Sequence, residues 1–295
     1  MKTDTVAITA PRSRLADFVT LTKPRLNSLV VVTTAVGYLA GRVEGFDAAV
    51  FVHTTIGSAL VAGGAAALNQ IAERDLDGRM TRTRDRPIPA GRLRPTEATW
   101  FAVLLAVAGF GQLAFGANLT AAVVALATLV SYAGIYTPLK RRSHWTVLVG
   151  AVPGALPVII GWAAAAPLSA EAWALFALAF VWQLPHFLAL TWLYRVDFAR
   201  AGLPLLSVSD PSGRRTARHL LVYTVLLLPV SLTPAWLGLA GLGYTAGATM
   251  LTTALLVLAT RFAADRSTER ARVLFRATLL YLPLVWGLLL VDAAG

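Results

Sequence analysis

Asn69, Glu73 and Asp77 recur at four-residue spacing at the head of residues 69–94, NQIAERDLDGRMTRTRDRPIPAGRLR. On a helix, residues four apart share a face. The spacing therefore stacks a carboxamide and two carboxylates one turn above the next, with Asp75 turned away. Such hard oxygen ligands suit Mg²⁺, which keeps several waters and is shared with substrate phosphates. Six arginines follow, from Arg79 to Arg94. Guanidinium forks match phosphate oxygens, and Arg82 and Arg86 stand nearest the acids, on a loop stiffened by Pro87 and Pro89. The competing reading is a helix end whose acids pair with arginines that merely signal topology. Three polar groups in register at the end of an apolar helix favour a metal ion carrying a phosphorylated ligand.

Three further groups have chemical potential. Tyr136, Lys140 and Arg141 close an apolar segment with YTPLKR. A lysine there suits a leaving phosphate, and it equally suits an interfacial anchor. Tyr194 and Asp197 follow another apolar segment in YRVDFARAG. Asp197 would share the depth of Asp77, and two facing acidic clusters can hold two Mg²⁺ ions around a diphosphate. His186, in WQLPHF, lies about two turns inside its segment. An intramembrane histidine usually faces the bundle interior. It suits substrate orientation, ligation of a haem iron or a helix–helix hydrogen bond, and the residue alone does not choose. His53 and His219 read as interfacial and His144 as a loop residue.

The elements that must position these groups are apolar. The chain has 295 residues, 57% hydrophobic and 14% charged, where a soluble domain carries about 25% charge. At roughly 20 residues per span, nine segments fit, near residues 26–40, 48–72, 98–115, 119–136, 146–166, 170–194, 219–239, 244–262 and 273–291. The expected fold is an all-α bundle of nine transmembrane helices. A cytoplasmic tail over 1–25 precedes a single domain over 26–292. Pro153 and Pro157 predict a kink or break in the fifth span.

Alternating the loops across the membrane tests the count. All but Arg42 of the 26 Lys and Arg residues then fall on one side, with the N-terminal tail. The positive-inside rule makes that side cytoplasmic, in the cell membrane. A wrong span count would scatter the charges. The net charge of +11 is thus topology, not a nucleic-acid footprint. All the conspicuous polar chemistry sits at one face, unlike a carrier with midplane binding groups. The absence of cysteine excludes disulfides and thiolate chemistry. No Walker, dinucleotide or zincin motif occurs.

Asn69-x-x-x-Glu73-x-x-x-Asp77 resembles the first acidic motif of the UbiA superfamily of intramembrane prenyltransferases, nine-helix bundles with acidic motifs after helices two and six. Within it the chain is most similar to the branch that farnesylates protohaem IX. That likeness rests on TKPR at 22–25, NxxxERDxD followed by MTRTRDRPIPAGR, YTPLKR at 136–141, WQLPHFLAL at 182–190 and YRVDFARAGLPLL at 194–206. Two positions depart from the superfamily pattern. Glu73 stands where aspartate is usual, and Ala201 follows Asp197 where a second aspartate is frequent.

The resemblance implies an enzyme that joins farnesyl diphosphate to a vinyl group of haem b, with water, to give haem O and diphosphate. It implies that Asn69, Glu73, Asp77 and Asp197 hold Mg²⁺, and that Arg82, Arg86, Lys140 and Arg141 take up the leaving-group charge. It sets Tyr136 and Tyr194 at the allylic cation and His186 at the haem. Lys23 and Arg25 meet either the haem propionates or the diphosphate. The implied partners are these substrates, membrane lipid and a downstream haem A synthase. Prenylation of an aromatic ring is the alternative within the superfamily, and WQLPHF and YRVDFARAG argue against it. A transporter is the alternative outside it.

Overall fold

A computed structural model describes residues 13–42, 45–143 and 145–292. His144, Lys2 and Arg12 lie outside the described residues. In chain order the helices are α1 (Arg14–Leu21), α2 (Pro24–Gly41), α3 (Ala48–Asp77), α4 (Pro95–Gly116) and α5 (Leu119–Leu129). A π-helical turn (Val130–Tyr136) continues α5 into α6 (Thr137–Leu139). Then follow α7 (Thr146–Ala165), α8 (Ala170–Leu193), α9 (Arg195–Arg200), α10 (Leu206–Ser209), α11 (Arg214–Trp236), α12 (Leu242–Asp265) and α13 (Thr268–Asp292). The described residues form no strand.

Eight helical segments are long and apolar enough to cross a membrane, counting Leu119–Leu139 as one. The ninth expected span is α2. Its 18 residues begin Pro-Arg-Leu-Asn-Ser, which dilutes its apolarity. It nevertheless packs along α7 and α3. The protein is a multi-pass membrane protein, and its periphery shows lipid-facing apolar side chains such as Trp100, Leu104 and Phe115.

Lipid tails are as apolar as leucine, so helices must associate by close packing. Small residues provide it. A Cβ added at Gly37 of α2 would fall 2.0 Å from the Val158 carbonyl oxygen of α7. One added at Gly161 of α7 would fall 1.9 Å from the Thr34 carbonyl oxygen of α2. These two backbones touch, and the contact holds the C-terminal half of α2 on α7. The expected break in the fifth span is absent. Pro153 and Pro157 both lie inside an uninterrupted α7.

The irregular feature falls elsewhere, in the π turn. Pro138 has no N–H to give Gly134, and its ring would crowd that carbonyl. The chain widens one turn earlier. Thr137 donates both its backbone N–H and, at 2.8 Å, its hydroxyl to the Tyr132 carbonyl. Such turns concentrate at functional sites. Here it stacks the Tyr132 and Tyr136 rings, centroids 5.4 Å apart.

The two arginine-rich loops roof the bundle. Leu76 and Met80 of the first pack against Phe198, Ala201, Leu203 and Leu205 of the second. The first loop is also clamped from α1, where Arg92 Nε donates to both carboxylate oxygens of buried Asp17 at 3.0 and 3.1 Å.

Candidate active site

Asn69, Glu73 and Asp77 lie on the buried face of the last turns of α3, and the side chain of Asp75 is exposed. Each of the three is engaged from a different element. Lys23 Nζ donates to Asn69 Oδ1 at 2.7 Å. Lys140 Nζ donates to both Glu73 oxygens, at 3.0 and 3.1 Å. Arg86 Nη1 donates to Asp77 Oδ2 at 2.6 Å, and the Thr83 hydroxyl donates to the Asp77 carbonyl at 2.9 Å. Asn69 Nδ2 donates to Thr137 Oγ1 at 3.2 Å, which ties the acid ladder to the π turn.

Lys23 reaches its position at a backbone cost. It caps α2 at φ 50°, ψ 60°, a left-handed conformation for a residue with a Cβ. Such strain costs about 1–3 kcal/mol and persists where the surroundings over-determine it. Burial, and then the charge of Arg86, lower the Lys23 ammonium pKa to about 7.

These groups line a polar cavity of about 190 Å³, with Lys23, Asn69, Glu73, Asp77, Arg82, Arg86 and Lys140 in its wall. A second cavity of about 290 Å³ is mostly apolar. The two share Lys23, Leu26, Tyr132, Tyr136 and Phe187 as common wall. Charged oxygen ligands and cations therefore sit against an apolar chamber whose wall includes aromatic rings. This arrangement suits a ligand with an anionic head and a long apolar body.

The donor set fits a hard cation. Asp77 Oδ1 is sealed from solvent and has no hydrogen-bond partner. An unsatisfied carboxylate oxygen at that depth is costly unless an ion or donor completes it.

Other expected residues fall elsewhere. Asp197 lines neither cavity. It pairs with Arg200 at 3.3 Å, and Arg200 also donates to Thr81 Oγ1 at 3.1 Å. Among the described residues, no three His, Cys, Asp or Glu side chains gather as a ready metal cluster. Arg141 leaves the cavity to donate to the Ala72 carbonyl at 2.6 Å. Arg25 is exposed on α2. Tyr194 also lies outside both cavities, its ring 4.6 Å beneath the Arg82 guanidinium. His186 lines the apolar chamber, with Nδ1 2.9 Å from Thr278 Oγ1.

Sequence reasoning missed Tyr132 and Thr137. Thr137 lay inside the quoted YTPLKR run, but only the π turn shows its task. Tyr132 had no local signal.

Comparisons with known proteins agree with this architecture. The model of the UbiA prenyltransferase family matches residues 30–284. A protoheme IX farnesyltransferase of Solibacter usitatus is 45% identical over 291 residues, 95% of this chain and the whole of that one. One of Opitutus terrae is 42% identical over 285 residues, 96% of each chain. Among solved structures, a digeranylgeranylglyceryl phosphate synthase superposes with TM-score 0.79 at 15% identity, over 95% of this chain and 98% of that one. A UbiA homologue of Archaeoglobus fulgidus bound to DMAPP and Mg²⁺ gives TM-score 0.67 at 14% identity, over 92% and 99%. The buried acid ladder, its ring of cations, the adjoining apolar chamber and these matches together place the chain in the UbiA prenyltransferase family, as an intramembrane prenyltransferase.

Proposed function

We propose that this protein transfers the farnesyl group of farnesyl diphosphate to a vinyl group of haem b, with addition of water, giving haem O and diphosphate. One observation carries the reading. Lys23, Arg82, Arg86 and Lys140 converge on two buried acids at the wall of an apolar chamber. The names of relatives that are 45% and 42% identical along nearly the whole chain supply the acceptor.

The diphosphate enters the polar cavity and the prenyl chain the apolar one. Arg82 and Arg86 grip phosphate oxygens with guanidinium forks, and Lys140 turns from Glu73 toward the leaving group. As the carbon–oxygen bond stretches, these fixed cations stabilise the charge that develops on the leaving oxygen. Tyr132 and Tyr136 present rings to the allylic carbon from the shared wall. Asn69, Glu73 and Asp77 hold Mg²⁺, with Asp197 joining from the second loop. When bound, the ion neutralises diphosphate charge. The Archaeoglobus fulgidus homologue described as bound to DMAPP and Mg²⁺ supports the use of Mg²⁺. His186 lines the apolar chamber, on the porphyrin side of the reaction. The loops face the cytoplasm from the cell membrane, and haem O passes on to a haem A synthase.

The test is product mass. Purified protein, Mg²⁺ and farnesyl diphosphate are incubated with haem b or with a hydroxybenzoate. Haem O and diphosphate are expected in the first tube only. Prenylation of the aromatic acid alone would sink the proposal.

A further inference from the structure

We infer that His186 is the base that takes the proton from the water added to the haem side chain, and that Thr278 holds it in the required tautomer. This rests on the farnesyl transfer proposed above and assigns its last step.

The hydrogen bonds around His186 decide where its proton lies. Thr278 Oγ1 donates to the Phe275 carbonyl at 2.7 Å, which uses the only hydroxyl proton. With that proton so placed, the 2.9 Å contact with His186 Nδ1 runs from Nδ1–H to Oγ1. A neutral imidazole with its proton on Nδ1 carries a lone pair on Nε2. Nε2 has no partner among the described residues. Nε2 is not sealed from its surroundings, and the cavity that His186 lines is the apolar chamber.

The ring cannot turn to exchange its nitrogens freely. It stacks on Trp182 (centroids 5.2 Å apart) and on Phe275 (4.9 Å). Trp182 Nε1 is itself anchored on the Thr278 carbonyl at 2.9 Å. One fully buried threonine of α13 thus fixes both the imidazole and its aromatic neighbour on α8.

The chemistry needs such a group. Bonding the terminal vinyl carbon to the farnesyl carbon leaves positive charge on the carbon attached to the porphyrin. A water oxygen forms the new carbon–oxygen bond there. The resulting oxonium reverts to cation and water until it loses a proton. His186 Nε2 accepts that proton, and the electron pair of the broken O–H bond stays on oxygen as the product hydroxyl. The positive charge ends on the imidazolium, which lies between two aromatic faces that attract cations and later releases the proton to solvent. Without the base, proton loss from the neighbouring methylene competes and gives an alkenyl haem.

The experiment is the ratio of hydroxylated to alkenyl porphyrin, read by mass in ¹⁸O-water with farnesyl diphosphate and haem b, on the full-length protein. A positioned base contributes about 10²–10⁴-fold, so His186→Gln should lower the ratio by about 10²-fold. Thr278→Val should lower it less and make it steeply pH-dependent, and Thr278→Ser should restore it. Diphosphate release in the same samples reports folding. A wild-type ratio in His186→Gln or in Thr278→Val overturns the inference. So does loss of all porphyrin transfer from His186→Gln with diphosphate release intact, which would assign His186 to holding the porphyrin. Wild-type protein that farnesylates no porphyrin overturns the functional reading itself.

Discussion

At the scale of residues, the site is a set of ion pairs waiting to be exchanged. Glu73 and Asp77 each lean on one cation, from Lys140 and Arg86 respectively. Both acids are nearly sealed from solvent, so removing either partner leaves an uncompensated charge. Asp77 is the more exacting, because Oδ1 has no donor while Oδ2 holds Arg86. Asp77→Asn keeps the shape and removes the anion. Diphosphate release should fall by about 10²–10³-fold, in line with the loss of one preorganised electrostatic group, while the helical circular-dichroism signal is kept. Activity near that of the wild type would remove Asp77 from the metal set. Lys23 offers a pH handle. Its folded-state pKa of about 7 lies below the ordinary 10.5. The penalty for burying its charge is therefore fully present below pH 7 and relieved as pH rises toward 10.5. Its pull on a diphosphate has the opposite trend, because the ammonium is lost above 7. KM for the prenyl diphosphate should rise between about pH 6 and about pH 8, as one group titrating near 7 requires, and Lys23→Met should flatten that dependence in steady-state assays.

At the scale of elements, packing against α7 sets where the site residues stand. The Gly37–Gly161 contact lets α2 lie on α7, and the start of α2 carries Lys23. Gly161→Ala would drive a methyl into the Thr34 carbonyl. Overpacking of this kind costs about 1–3 kcal/mol. A lowered melting temperature in detergent and a raised KM should appear together, because the shift displaces Lys23. Gly287→Ala, with open space around it, is the control that should change neither. The elements themselves were legible. Runs of about twenty apolar residues announce spans, and the break at Gly116, Ala117 and Asn118 between two of them is short enough to mark a hairpin. The acid ladder was legible because helical spacing is local. The π turn was not, since it depends on how Pro138 is accommodated. Nor was the placement of Lys23, Tyr132 and Thr137, which only tertiary packing brings to α3. The two prolines do not break α7, because proline is tolerated inside spans whose neighbours satisfy the freed carbonyls. Asp197 was matched to Asp77 by depth and by the family resemblance, and here it pairs with Arg200, which also reaches Thr81 of the first loop.

At the scale of the molecule, chemistry is confined to one end. Both arginine-rich loops, α1 and the polar cavity lie together, while the opposite turns carry Arg42 as their only Lys or Arg. A bundle with nearly all its Lys and Arg at one face is oriented by them, and the orientation proposed above gives a diphosphate donor access from that face. The natural chain has no cysteine, so a single introduced thiol reports sidedness without background. Asp85 is exposed on the first loop, and Leu168 is 38% exposed in the turn between α7 and α8. In intact cells, a membrane-impermeant maleimide should label Leu168→Cys and leave Asp85→Cys unlabelled until the membrane is opened. The reverse pattern would invert the whole bundle and put the diphosphate cavity on the outer face, where no cytoplasmic prenyl donor reaches it. Labelling of both thiols in intact cells would show that the helix count between them is wrong. The odd number of crossings between them, by α4, Leu119–Leu139 and α7, is then the place to look, because the charge asymmetry survives only if each of those helices spans.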